Sequence, residues 1–381
     1  MRVVVLGAGF GGLELTTKLS EEFGDTADVV LIDREDGFIF GFSKLDVMFG
    51  RATEDAVLHR YADITKPGVK VVKAEITAID PVAKHVDTTE GAFDADILVI
   101  ALGADVHPEA TPGLLEGGHE FYSPGSAFPL REVLENFQGG RVVIGVTSLP
   151  FKCPPAPSEA ALLLHDFLTE RDRRDNSEIA LVTPQPAPIP PSPDTSAALL
   201  AAFAERGISF NPNRALKSVD PTRQVALFDD GSEMPYDLLF GIPVHSVPAV
   251  VAESGLAVDG WVPVHPMTLE TPFPGVFAIG DVTSIGTPKA GVFAERQGEA
   301  AAERIAAILR SQAETAEYDG KGLCYIQMGS DQVARVNVQF TPGAAQPVVG
   351  IFDEPTMQLA ADKAEFGRSR ARRWFGKEWA T

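Results

Sequence analysis

An α/β architecture, with two βαβ units, short antiparallel insertions and a separate C-terminal segment, follows from three features of the sequence. A β-branched run, Arg2–Leu6, stops in a glycine cluster and passes into helical spacing over Leu13–Glu22. The same succession starts again near residue 140, with a strand pattern at Arg141–Gly145 and a helical one at Ala160–Leu168. Between them lie short alternating segments punctuated by Asp80-Pro81 and Glu90-Gly91, the texture of an antiparallel meander. The 381 residues suffice for two or three domains, each with a hydrophobic core.

The first unit carries Gly7-Ala8-Gly9-Phe10-Gly11-Gly12, a G-x-G-x-x-G between strand and helix, and its second strand, Val29–Ile32, ends at Asp33. Gly7 makes the tight turn, Gly9 lets a pyrophosphate approach the backbone, and Gly12 lets the helix pack closely. The helix N-terminus faces the anion, and a carboxylate about 20 residues on accepts from ribose hydroxyls. Strand, glycines, helix, strand and carboxylate in this order identify a dinucleotide site in a Rossmann-like unit.

Val69–Lys73, Glu75–Asp80 and His85–Thr88 are read as the meander, leading into the strand Ile97–Ala101, which runs into Leu102-Gly103. The second unit is also Rossmann-like, yet after Gly145 come Val146-Thr147-Ser148-Leu149-Pro150-Phe151-Lys152-Cys153-Pro154-Pro155-Ala156-Pro157, with no further glycine. Its next strand, Ile179–Val182, ends in Thr183-Pro184 where an acidic ribose ligand is wanted, so the second nucleotide site is expected to be degenerate. Six prolines within residues 184–193 make a rigid loop. Further on come a helix at Ala197–Arg206, strands at Gln224–Phe228 and Leu238–Ile242, a strand Val276–Ile279 ending in Gly280-Asp281, a long helix Gly291–Leu309, a strand Val333–Phe340 and a basic, aromatic tail, Phe366–Thr381. The expected division is residues 1–105 with 270–320 as one dinucleotide-binding domain, 106–269 as the second, and 321–381 as the C-terminal segment.

Composition removes several function classes. With 53 acidic against 32 basic residues, a net charge of −21 repels a phosphate backbone, so no nucleic-acid partner is expected. Apolar runs such as Ala197–Ala204 are core-sized, too short for a membrane span. The opening Met1-Arg2-Val3 enters a strand at once, which leaves no signal peptide and points to the cytoplasmic side. Two cysteines, Cys153 and Cys324, are too few for a disulfide scaffold and suit buried thiols or a redox pair. With scattered histidines (His107, His119, His165, His245 and His265, each read as structural), no metal site is expected.

The N-terminal fingerprint, Ala101-Leu102-Gly103, the second βαβ unit, and Gly280-Asp281 followed by Pro288-Lys289-Ala290-Gly291 and Gln297-Gly298 together resemble the flavoproteins with two dinucleotide-binding domains. Lys152-Cys153-Pro154-Pro155-Ala156-Pro157 with Glu159, and Gly322-Leu323-Cys324-Tyr325, are similar to the two redox-cysteine segments of sulfide:quinone oxidoreductases and of the flavoprotein subunit of flavocytochrome c sulfide dehydrogenase. The resemblance spans nearly the whole chain. It implies FAD in contact with Gly7, Gly9, Gly12, Asp33, Ala74, Ala101, Gly103, Gly280, Asp281 and Lys289. It further implies sulfide as substrate, a quinone as acceptor near Phe366 and Leu323, and Cys153 and Cys324 meeting over one flavin face. Many members carry a third cysteine near the end of the first third of the chain, in places bonded to the flavin; this chain has none, so its FAD is expected to be non-covalent. The rivals are the flavocytochrome subunit, which needs an export signal, and a type II NADH:quinone oxidoreductase, which needs an intact second fingerprint.

The chemistry requires two sulfurs close in space and a lowered thiol pKa. Lys152 beside Cys153, and the helix expected to start near Ser158, favour thiolate. Glu159 reads equally as a proton carrier or as a first-turn carboxylate, and Lys289 as a group neutralising the reduced flavin or as a solvated loop lysine. Phe366 to Trp379 holds five basic residues and one acidic, a pattern suited to an anionic membrane surface and so to a peripheral protein on the cytoplasmic face; docking onto the protein's own acidic surface is the alternative. A homo-oligomer is compatible with the sequence.

Overall fold

The computed structural model describes residues 1–313, 316–343 and 347–379. Five parallel strands form the first sheet in the order Val276–Ala278, Ile97–Ile100, Val3–Leu6, Val29–Asp33, Val69–Lys73. Val3–Leu6 and Ile97–Ile100 are apolar at every position because helices or loops cover both faces of the sheet. On one face the helices Phe10–Phe23 and Gly291–Leu309 cross closely. A Cβ on Gly298 would stand 2.4 Å from the Gly11 carbonyl oxygen, which is why a glycine follows Gln297.

One expected element is corrected. Val69–Lys73 pairs in parallel with Val29–Asp33 as the edge of this sheet, and the antiparallel meander consists of Ile76–Asp80, His85–Thr88 and Gly91–Asp94. An edge strand covered on only part of its surface alternates as an antiparallel strand does, so period alone does not separate the two.

The second sheet, ordered Ile208–Asn211, Ser177–Val182, Gly140–Val146, Leu238–Ile242, is also parallel, with the helices Ala156–Thr169 and Pro193–Glu205 packed in its core. Asp105–His107 pairs with Val244–Ser246 where the chain passes between the units. The strands Lys321–Gln327, Val333–Phe340 and Pro347–Thr356 make an antiparallel sheet that delivers Cys324, and the helix Met357–Phe375 follows. Its N-cap, Thr356, accepts from the Leu359 N–H at 3.0 Å, and Gly376 ends it in a left-handed conformation.

The basic tail is docked on the protein itself. Arg373 donates to Glu14 at 2.7 Å and to Glu21 at 2.8 Å, Arg370 to Glu295 at 3.1 Å, and Lys377 pairs with Asp63 at 2.7 Å. Trp374 is fully buried, with its indole N–H donating to Glu14 at 2.8 Å among Phe10, Phe38 and Phe40. The charge excess that suggested a membrane surface is therefore neutralised internally, and the alternative of self-docking holds for these side chains. Among the described residues no helix is long and apolar enough to cross a membrane.

Candidate active site

The carboxyl ends of the strands in both parallel sheets converge on one cavity of about 790 Å³, as expected where ligands bind in open α/β sheets. Its wall runs from Gly9 and Gly11 past Ala101, Gly103, Gly280 and Asp281 to Cys153 and Cys324. The fingerprint glycines divide by role. Gly7 has φ of +100°, and a Cβ there would meet the Ala101 carbonyl oxygen at 2.4 Å; one on Gly12 would meet the Gly7 carbonyl oxygen at 2.0 Å. A Cβ on Gly9 would meet nothing within 4 Å, so that glycine leaves open space in front of the helix. Asp33 stands behind the wall: its carboxylate accepts from the N–H groups of Ala8 at 2.7 Å and Glu35 at 2.9 Å, and burial raises its pKa against those bonds. Ala74 donates its N–H to the Asp33 carbonyl oxygen at 2.9 Å and is likewise outside the cavity lining.

Cys153 occupies the turn before the helix Ala156–Thr169, which begins two residues earlier than the sequence suggested, with φ of +58°. Its N–H donates to the Lys289 carbonyl oxygen at 2.7 Å, and its own carbonyl oxygen accepts from Ala156 at 2.9 Å. Cys324 lies mid-strand opposite Val336. Both thiols line the cavity, and each is driven up rather than down. Burial is the first cause, the nearby Glu159 carboxylate the second; Cys324 is pushed up to about 12 and Cys153 higher still, its thiolate further disfavoured by that of Cys324. This corrects the expectation of an activated thiolate at rest, because desolvation outweighs the helix N-terminus.

Lys152 is anchored away from its sequence neighbour: its ammonium donates to the Ala104 carbonyl oxygen at 2.8 Å, and Cys153 comes after Asp281, Asp105 and Glu120 among the charges that raise it. The cations that favour the Cys153 thiolate are Lys44 first and Lys363 second. Lys44 comes from the short helix Gly41–Met48 and donates to the Tyr122 carbonyl oxygen, and burial followed by Lys152 lowers it to about 8. Sequence reasoning passed over it, though a lone lysine in Gly41-Phe42-Ser43-Lys44-Leu45 is an available signal, since charges on buried faces are rarely unpaired.

Glu159 is 2% exposed and accepts from the Gln327 N–H at 2.8 Å; burial raises its pKa, with Lys363 opposing. The Gln327 side-chain oxygen accepts from Lys363 at 2.7 Å, so one residue of the cysteine strand joins Glu159 to the C-terminal helix. Lys289 is neither solvated nor free. Its ammonium donates to the carbonyl oxygens of Asp281 at 2.7 Å and Thr283 at 3.0 Å and lies 3.3 Å from the Trp261 ring centroid, and burial lowers it to about 8. Asp281 is raised by burial against the pull of Lys289, Lys152 and Lys44. Leu323 and Phe366 line the main cavity and also a second one of about 520 Å³ between the helix Gly291–Leu309 and the C-terminal helix.

The residues fit FAD. The Gly9 opening, the cavity continuing past Asp281 to the cysteines, and Tyr122 on its wall, whose buried hydroxyl has no partner among the described residues, are what a dinucleotide with a polar ring at its far end requires. The second unit's first helix opens on prolines, with no glycine after Gly145 to let a pyrophosphate approach the backbone. Among the described residues there is no cluster suited to a metal ion.

Comparison with known proteins agrees with this construction. Mouse mitochondrial sulfide:quinone oxidoreductase is 26% identical over 363 residues, covering 91% of this chain and 79% of its own. A type II NADH:quinone oxidoreductase of Staphylococcus saprophyticus is 39% identical over only 104 residues, 27% of this chain and 26% of its own. The crystal structure of sulfide:quinone oxidoreductase from Aquifex aeolicus superposes with a TM-score of 0.89 at 23% identity, covering 98% of this chain and 92% of that one, which shows a shared fold. The family model for pyridine nucleotide-disulphide oxidoreductases matches residues 1–298. The chain therefore belongs to the pyridine nucleotide-disulphide oxidoreductase family and is an FAD-dependent flavoprotein oxidoreductase, similar in sequence and fold to the sulfide:quinone oxidoreductases.

Proposed function

We propose that this protein oxidises sulfide to zero-valent sulfur or polysulfide and passes the electrons through FAD to a quinone. The observation that carries the reading is the pair Cys153 and Cys324, far apart in sequence and brought to one cavity wall beyond Gly280-Asp281, in a protein whose second βα turn carries prolines and Cys153 in place of the fingerprint glycines. When bound, FAD supplies a two-electron acceptor beside the thiols. The protein's own part is to hold both sulfurs in an apolar pocket where thiol–disulfide exchange with hydrosulfide excludes bulk water. Glu159, kept protonated more readily by burial, and Lys363, joined to it through Gln327, move protons between the thiol side and the acceptor side. Phe366 and Leu323 form the apolar wall against which a quinone ring packs.

A quinone is lipid-soluble, so the protein meets a bilayer peripherally. With the arginines of the tail paired internally, that contact is assigned to the last strand and the start of the C-terminal helix, where Ile351 is 54% and Met357 75% exposed. The type II NADH:quinone oxidoreductase reading has the segment of 39% identity in its favour and the absence of a second glycine fingerprint against it. Mixing the anaerobic holoenzyme with sulfide or with NADH decides between them. Sulfide is expected to bleach the visible flavin band and NADH to leave it, with Cys153→Ser and Cys324→Ser each abolishing the sulfide response. Rapid bleaching by NADH and none by sulfide overturns the proposal.

A further inference from the structure

The resting thiols pose a problem that the cysteines alone do not solve: Cys153 sits among groups that oppose a negative charge, yet exchange requires that one be formed on it. When the pair is a disulfide, having given two electrons to oxidised flavin and two protons to solvent, hydrosulfide attacks the Cys324 sulfur. A bond forms between sulfide sulfur and Cys324, the Cys153–Cys324 bond breaks, and the electron pair leaves on Cys153 as a thiolate, so charge is conserved and no proton moves. In a buried pocket that thiolate needs a cation.

Several positive groups border the cavity. Lys289 is tied to two carbonyl oxygens and a tryptophan face, Lys152 to the Ala104 carbonyl oxygen, and Lys363 to the Gln327 side chain. Lys44, like Lys152 and Lys363, has one hydrogen bond among the described residues, in its case to the Tyr122 carbonyl oxygen, and keeps N–H donors for the cavity; it differs in how firmly its acceptor is held. That carbonyl is fixed by a turn in which the Glu120 carboxylate accepts from the N–H groups of Tyr122 and Ser123 and from the Ser123 hydroxyl. A buried carboxylate thus braces the turn that holds the half-buried Lys44 on the wall of the cavity that both cysteines line.

We propose that Lys44 is the positioning cation of the thiol site, anchored on the Glu120–Ser123 turn so that its free N–H groups carry the counter-charge of the thiolate released on Cys153. Burial and Lys152 lower its own pKa to about 8, so it remains mostly protonated at neutral pH. Cys324, whose thiolate is opposed by burial and Glu159, serves as the internal control. The assignment rests on the redox-thiol reading above, and its test has an arm that does not depend on sulfide.

With the holoenzyme's thiols reduced, alkylation by iodoacetamide is followed separately at each cysteine by mass spectrometry. Lys44→Met is expected to slow labelling of Cys153 at least about tenfold, the loss of one opposite charge near a thiolate, while Cys324 is labelled at the wild-type rate. Lys44→Arg is expected to restore Cys153 to within about threefold of wild type. In the second arm, the limiting rate of flavin bleaching by sulfide falls in Lys44→Met with little change in the half-saturating sulfide concentration. Unchanged Cys153 labelling, equal slowing at both cysteines, or failure of Lys44→Arg to recover overturns the assignment. If the wild-type flavin does not respond to sulfide, the proposed function fails, and the labelling ratio still decides the role of Lys44.

Discussion

The backbone N–H of Cys153 donates to the carbonyl oxygen of Lys289 at 2.7 Å. The cysteine turn of the second unit is thereby fastened to the loop that leaves Gly280-Asp281 in the first, and Lys289 is held in that loop by the carbonyl oxygens of Asp281 and Thr283. Thiol placement and the flavin end of the cavity are thus one hydrogen-bonded assembly rather than two independent sites.

Because Cys153 has φ of +58°, its substitutions separate backbone from chemistry. Cys153→Gly removes the left-handed penalty and is expected to hold or raise stability by about 1 kcal/mol, whereas the β-branched Cys153→Val loses about 1–2 kcal/mol more than Cys153→Ser. Chemical denaturation of the four proteins gives the order, and all three variants should lack sulfide-driven flavin reduction.

Gly9 and Gly12 stand three residues apart and should fail differently. Gly12→Ala drives a methyl to 2.0 Å from a backbone oxygen and is expected to reduce yield and melting temperature. Gly9→Ala meets no protein atom within 4 Å, so it should fold with a normal melting temperature as apoprotein and be purified without its yellow colour. A fully flavinated Gly9→Ala protein contradicts the assigned cradle.

Docking of the C-terminal helix depends on Glu14. Burial by itself would raise this carboxyl, but the hydrogen bonds from Arg373 and Trp374 outweigh it and hold the pKa below 4.5. A depressed carboxylate stabilises the fold above its unfolded value and loses that contribution as pH falls through its lower folded value. Acid below about pH 4 should therefore release the tail to proteolysis early. Arg373→Leu, which leaves the buried carboxylate without its guanidinium, is expected to cost about 3–5 kcal/mol at neutral pH. Trp374→Ala should cost a similar about 3–5 kcal/mol through the lost core volume.

His245 titrates in the opposite sense to a useful proton carrier. Burial, then the charges of Lys152, Lys289 and Lys44, lower its pKa to about 3, with its Nδ1 hydrogen-bonded to the Pro243 carbonyl oxygen at 2.8 Å. The unfolded chain takes up this proton near pH 6.5 and the folded one does not, so stability falls progressively from pH 6.5 toward pH 3. Denaturation midpoints of wild type and His245→Gln measured across that range should diverge, the variant showing the shallower decline. Parallel curves would remove His245 from the account.

Much of this protein was determined by its sequence because the relevant physics is local. Gly7, Gly9 and Gly12 are dictated by backbone conformation and close approach within one turn, and the absence of a second glycine fingerprint is read directly from Val146 to Pro157. Helix spans such as Gly291–Leu309 follow from apolar spacing alone. Only the tertiary structure decided what depends on desolvation and long-range neighbours. It placed Cys324 and Cys153 on one wall, turned Lys152 toward Ala104, and brought Lys44 and Lys363 from opposite ends of the chain to the thiols. The sign of a pKa shift is set by burial and by charges that adjacency does not reveal, which is why a lysine next to a cysteine in sequence misled. The tail obeys the same rule: its arginines look free in sequence, and acidic partners hundreds of residues away, Glu14 and Glu21 among them, neutralise them in the fold.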